Sequence, residues 1–120
     1  MVKVIALLKR KPGMSREEFQ RRWLVEHTKL SSGLPGCREY RINLCLPEQP
    51  ESEAAEPLYD GTAELWWDSI EQMEQCFAGE TARIAGEDAD SFCELRIHLY
   101  TREYLVVHEG QAIQPPREAS

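Results

Sequence analysis

The chain is short of the residue patterns from which familiar catalytic and binding motifs are built. Of its 120 residues only three are histidine and four are cysteine. Cys37, Cys45, Cys76 and Cys93 form no CxxC pair and no Cys/His spacing of a zinc site, so no metal is expected. Cys37 and Cys45 fall on one predicted strand, where a rise of ~3.3 Å per residue holds them too far apart to bridge. Four thiols without a framework fit a reducing, cytoplasmic setting. There is no phosphate loop, no dinucleotide fingerprint and no Ser-His-Asp arrangement, and no cofactor is expected. Excess positive charge is missing too. A net charge of −7 offers no basic stripe to phosphates, which argues against nucleic acid and against an anionic membrane surface. No apolar run approaches the ~20 residues of a membrane helix. The opening VKVIALLK lacks a small-residue cleavage site and reads as a strand, not a signal peptide.

What is present is the material of one globular domain. A 42% hydrophobic content over 120 residues can bury a core without disulfides or metals. The chain is organised around Ser15 to Tyr40. Ser15 is an N-cap, and Glu18 three residues on completes a capping box. Gly33 suits a left-handed helix end, and Pro35-Gly36 stops continuation. At 100° per residue, Phe19, Trp23, His27, Leu30 and Leu34 share one face of roughly 80°, with Glu26 inside the same sector. A histidine on that face is either a satisfied core group or a titratable group aimed into a pocket.

Taken in order, Val2 to Lys9 is apolar on both sides and predicts a central strand. Cys37 to Leu46 alternates, with Tyr40, Ile42, Leu44 and Leu46 on its apolar side. Residues 47–57 (PEQPESEAAEP) are acidic and proline-bearing and predict a mobile loop. Leu58 to Trp67 is a third strand, with Tyr59, Gly61, Ala63, Leu65 and Trp67 on one side and Asp60, Thr62, Glu64 and Trp66 on the other. A second helix carries Ile70, Met73 and Phe77, then continues weakly to about Asp88 with a break at Gly86. Cys93 to Val107 is the last strand, with Leu95, Ile97 and Leu99 opposed to Glu94, Arg96, His98 and Tyr100. This predicts a domain over 1–108 and a flexible tail over 109–120.

The order βαββαβ predicts an α+β ferredoxin-like sandwich with both helices on one side of an antiparallel sheet. The other side needs a cover, and a second copy is the simplest one. The expected dimer interface holds Glu39, Arg41, Asn43, Arg96 and His98. Asp60 and Glu64 are expected to pair with Arg41 or Arg96. Under the helix, Gly61 and Ala63 are too small to fill the space. The resulting pocket is expected between Phe19, Trp23 and His27 above and Tyr40, Leu65 and Trp67 below. His27 is its candidate general acid or base, and the Tyr40 O–H its candidate oxygen donor. Glu26 is a weaker candidate to orient the imidazole.

F-x3-W-x3-H followed by L-P-G-x3-Y, then YDGTAELWWDS and EDADSF, resembles the EthD family of dimeric α+β-barrel proteins. Phe19, Trp23, His27, Pro35, Gly36, Tyr40, Asp60, Gly61, Glu64 and Trp66 carry the resemblance, which spans roughly Val2 to Val107. It implies a homodimer with a small-molecule cleft between helices and sheet. Relatives include methylmuconolactone isomerases and fungal pigment-pathway dehydratases; a shared fold does not transfer a reaction. Three readings follow. The first is a cofactor-free isomerase, dehydratase or oxygenase acting on a small hydrophobic carbonyl or aromatic compound. Its catalytic residues would be His27 and Tyr40, with Phe19, Trp23, Gly61, Ala63, Leu65 and Trp67 binding substrate. The second is a non-catalytic ligand-binding accessory module of an oxidoreductase system. The third is a haem protein with His27 as axial ligand.

Overall fold

The protein is described from a computed structural model that covers residues 1–47 and 58–119. The acidic loop expected over 47–57 lies outside the described residues, Pro47 excepted. β1 (Val2–Arg10) leads into α1 (Arg16–Arg21), a π-helical stretch (Arg22–His27) and α2 (Thr28–Ser31). β2 (Glu39–Leu44), β3 (Gly61–Trp67), α3 (Ile70–Phe77), α4 (Glu80–Asp90) and β4 (Cys93–Thr101) complete the sandwich, and β5 (Tyr104–His108) and β6 (Gln111–Glu118) follow. The main sheet runs β2-β3-β1-β4, with each neighbouring pair antiparallel. This is the ferredoxin-like α+β arrangement that the order of elements predicts.

Local chemistry explains the first helix and corrects one part of its reading. The Ser15 hydroxyl accepts the Glu18 backbone N–H at 3.1 Å. The Glu18 carboxylate turns to Arg21 instead, at 2.7 Å. Phe19, Trp23, His27 and Ser31 are all buried, whereas Leu30 is 38% exposed. An ideal α-helix drifts about 40° over four residues. The wider π turn removes that drift, so the buried face repeats every four residues and takes in Ser31 in place of Leu30. The left-handed glycine is Gly36 (φ 75°), not Gly33. A Cβ there would meet the Trp67 indole at 3.3 Å.

The core lies between this helix, α3, α4 and one side of the sheet. Phe19 stacks edge-on against Trp23 and Phe92, with centroids 5.5 and 5.6 Å apart. Val4, Phe19, Trp23, Trp67 and Phe92 are essentially sealed, each stabilising the fold by roughly 1.5–3 kcal/mol. The second helix is two helices. Gly79 is the N-cap of α4, and Gly86 sits inside α4 without breaking it. The residues of β1 alternate as expected for a central strand: Val2, Val4, Ala6 and Leu8 are buried under the helices, while Ile5 and Leu7 look to the uncovered side.

Three further expectations are corrected. First, the alternation of β4 is right but its sides are reversed. Register pairs Arg96 with Leu8, His98 with Ala6 and Tyr100 with Val4, which are helix-side residues of β1. Arg96 and His98 therefore lie under the helices, and Leu95, Ile97 and Leu99 lie on the open side. Second, Asp60 pairs with Arg10, accepting its backbone N–H at 2.8 Å and lying 3.3 Å from Nη1. Glu64 pairs with Lys3 at 2.5 Å and with Asn43 at 2.8 Å. Third, residues 111–118 are not an unstructured tail but pair with Tyr104–His108, so a domain boundary at 108 would cut a hairpin. Glu109 (φ 49°) and Gly110 (φ 78°) form its two-residue turn, the type whose twist matches paired strands.

Candidate functional site

Small residues open a cavity between the sheet and the helices. Ala6 and Ala63 are register partners at the centre of the sheet and form its floor. Ala82, Ala85, Gly86 and Ala89 line one wall from α4, spaced so that they share a face of that helix. Trp23, His27 and Ser31 form the roof, and Leu65, Tyr40, Phe77, His98 and Tyr100 contribute further wall. The cavity is open to solvent on one side and has a volume of about 270 Å³. Cavities of about 150 Å³ already admit benzene, so a substituted single ring fits.

His27 and Tyr40, the two candidate catalytic residues, both line this cavity, as do Trp23, Ala63 and Leu65. Phe19, Gly61 and Trp67 do not. Phe19 and Trp67 are sealed in the core, Trp67 donating its indole N–H to the Pro35 carbonyl at 2.9 Å. The space over Gly61 is already taken: a Cβ there would lie 2.6 Å from the Trp23 ring and 2.6 Å from the Asn43 carbonyl oxygen. Gly61 thus lets Trp23 lie flat on β3, and the open volume moves over to Ala63 and Ala6.

The imidazole of His27 is held by a residue from another element. Its Nδ1 is 2.9 Å from Oδ2 of Asp88 on α4. The ring also meets Phe92 edge-on, with centroids 5.4 Å apart. With Nδ1–H donating to the carboxylate, Nε2 is the acceptor nitrogen, and it carries no hydrogen bond to protein among the described residues. Burial pushes the imidazole below its ordinary titration range. Asp88 opposes this, while Arg96 and Arg22 act with burial. Glu26 is not the orienting group. It points outward to Arg21 at 2.6 Å and Arg22 at 2.8 Å.

Tyr40 is fixed by Ser31, whose hydroxyl lies 3.0 Å from the phenol oxygen. Burial pushes the phenol upward, partly offset by Ser31 and the Trp23 indole, so Tyr40 keeps its proton at neutral pH. Across the sheet, on the opposite edge, Arg96 and His98 enter the same cavity from β4. Arg96 donates to Asp90 through Nη2 at 3.1 Å and to the Gly86 carbonyl at 3.3 Å. His98 sits against Phe77, with centroids 6.4 Å apart. Burial first, then Arg96, pushes His98 downward, against a smaller pull from Asp90.

Asp88, Ser31, Arg96 and His98 were absent from the sequence-based site. Two signals bear on the first two: the four-residue spacing Phe19-Trp23-His27 continues to Ser31, and the small residues Ala82, Ala85 and Ala89 lie at helical spacing beside Asp88. Arg96 and His98 are placed by the register of β4 with β1. Among the described residues no group of three or more His, Cys, Asp or Glu is placed to hold a metal ion.

An EthD domain model matches residues 11–96, which takes in His27, Tyr40, Asp88 and Arg96 and leaves out Ala6 and Leu8 of β1 and His98 and Tyr100 of β4. The chain belongs to the EthD family. An EthD family protein from Bacillus halodurans superposes with a TM-score of 0.73 at 24% identity, over 86% of this chain and 98% of that one. A dimeric ferredoxin-like protein from Thermobifida fusca does so with a TM-score of 0.63 at 15% identity, covering 83% and 88%. The hydroxynitrile lyase of Passiflora edulis gives 0.66 at 17%, covering 83% and 90%. At these identities the likenesses concern the EthD fold and not its chemistry. No curated protein matches at a comparable level of significance.

Proposed function

We propose that this EthD protein is a cofactor-free enzyme that moves a proton on a small, mostly apolar carbonyl compound. The observation that carries this reading is the His27–Asp88 contact of 2.9 Å on a ring that lines the cavity. Nε2 of His27 takes the proton from the carbon next to the carbonyl. The electron pair moves into the carbonyl, and the new enolate oxygen accepts a hydrogen bond from Tyr40. Asp88 stabilises the imidazolium in the meantime, as a buried carboxylate does for a histidine base. Return of the proton to another carbon completes an isomerisation. Its transfer to a departing hydroxyl on the β-carbon completes a dehydration, releasing water.

The protein works as a homodimer in a reducing, cytoplasmic setting. Ile5, Leu7, Leu95, Ile97 and Leu99 form an apolar strip on the side of the sheet away from the helices, and Leu95 and Leu99 are 43% and 48% exposed. Such a strip fits a second copy. The four cysteines are all free thiols. A lyase and a dimer of the same fold support the reading without deciding the reaction.

The test is deuterium uptake from D2O into a panel of single-ring ketones and keto acids, followed by NMR. Uptake above buffer that His27→Ala lowers by roughly 10²–10⁴-fold is expected. Panel members that bind without any catalysed uptake would instead make the protein a ligand-binding module.

A further inference from the structure

Arg96 is an unusual wall residue for so apolar a cavity. Arginine is seldom buried without a partner, and its guanidinium is the side chain best suited to pair a carboxylate inside a protein. Its placement is built. The side chain reaches across to α4 beside Gly86, where a Cβ would lie in contact with Nη2 at 3.4 Å. Nη2 spends its donors on the Gly86 carbonyl and Asp90. Nε also points to Asp90, at 3.4 Å. Nη1 has no acceptor in the protein among the described residues. The pairing with Asp90 leaves the charge of Arg96 largely available, because the Asp90 side chain is 68% exposed and screened by solvent. His98, two residues along the same side of β4, also makes no hydrogen bond to protein among the described residues.

We propose that Arg96, with His98 beside it, anchors a carboxylate of the molecule that occupies the cavity, so that the ligands are small carboxylic acids of about one ring. This rests on the acid–base reading only for what happens next to His27; the anchoring itself does not need it. The arrangement divides the cavity. Arg96 and His98 enter from β4 at one edge of the sheet, and Ser31 and Tyr40 close it over β2 at the other. Ala6 and Ala63 make an apolar floor between. A ring lies over the alanines, its carboxylate meets the unused Nη1 donors, and its remaining oxygen turns to Tyr40. A charged donor to a carboxylate is among the stronger hydrogen bonds available to a protein. An uncharged ester of the same shape fills the floor equally well but loses that contact.

Benzoate and methyl benzoate are the probes, titrated against the intact chain by calorimetry at low salt. Benzoate is expected to bind at least ten-fold more tightly than its ester. R96M should bring the two to equal affinity while still binding methyl benzoate, which also shows that the variant is folded. R96K should keep part of the preference, as a single point charge without the fork. H27A should leave the preference intact even where it abolishes proton exchange, so the anchor and the base fail separately. The proposal is overturned if the ester binds as well as the acid, if neither binds at millimolar concentration, or if R96M leaves the ratio unchanged. It is equally overturned if R96M slows proton exchange with benzoate affinity untouched, since Arg96 would then serve a developing oxyanion.

Discussion

β2 and β4 are the two edges of one sheet, and both alternate between apolar and polar side chains. They spend that alternation in opposite ways. β2 turns Tyr40, Ile42 and Leu44 toward the helices and leaves Glu39, Arg41 and Asn43 on the open side. β4 turns Arg96, His98 and Tyr100 toward the helices and leaves Leu95, Ile97 and Leu99 open. Each helix-side set meets a different neighbour. Over β2 the helix residues Trp23 and Ser31 are close and satisfy what lies beneath them. Over β4 the α4 face is Ala82, Ala85, Gly86 and Ala89, which leaves room for long polar side chains. The small residues of α4 thus permit a polar edge inside, and the apolar edge it displaces is turned outward.

This contrast can be broken at several points. The largest effect should come from the roof that both edges share. His27→Ala should reduce turnover by roughly 10²–10⁴-fold with the fold retained, as judged by an unchanged near-UV spectrum. Next is the open side of β4. Ile97→Asp should convert the proposed dimer to a monomer in light scattering, whereas Arg41→Ala on the open side of β2 should leave that dimer in place. An unchanged mass for Ile97→Asp would mean that the apolar strip is not the interface.

Ala63→Leu probes the floor between the edges. If the cavity is open, ligand binding is lost and the melting temperature holds. A packed interior would instead lose about 1–3 kcal/mol of stability from the extra carbons.

Tyr40→Phe should act mildly, with a loss of roughly 3- to 10-fold for one hydrogen bond. Ser31→Ala should reproduce a fraction of it, because Ser31 only positions the phenol. A loss as large as that of His27→Ala would give Tyr40 a role in the proton transfer itself.

The last effect is on stability against pH. His27 faces Asp88, Arg22 and Arg96, and His98 faces Arg96 and Asp90. Both imidazoles titrate below their ordinary value of 6.5 in the folded chain. The unfolded chain therefore binds protons first as pH falls. The stability these groups contribute is complete above about pH 6.5 and is lost as pH drops through the lowered folded values. Urea midpoints should fall on the acid side, and by less in a His27→Gln, His98→Gln double variant.

The sequence by itself determined the order βαββαβ of the sandwich and the family, because capping, alternation and helical spacing are local, but not the split of the second helix or the β5–β6 hairpin. Ser15, the alternation of Tyr40 to Leu44 and the face Phe19-Trp23-His27 were readable for that reason. His27 and Tyr40 were readable as cavity residues, since both the helix face and the strand side are set within a few residues. Other features depended on contacts that sequence spacing does not contain. Asp88 lies 61 residues from His27 and meets it only because α4 packs beside the first helix. The π turn that brings Ser31 to Tyr40 is a change of helical pitch, which a fixed 100° step misses. The side of β4 that faces inward was decided by register with β1 and by the empty face of α4. Alternation tells that two sides of a strand differ, but only the neighbour packed against each side determines which one is buried.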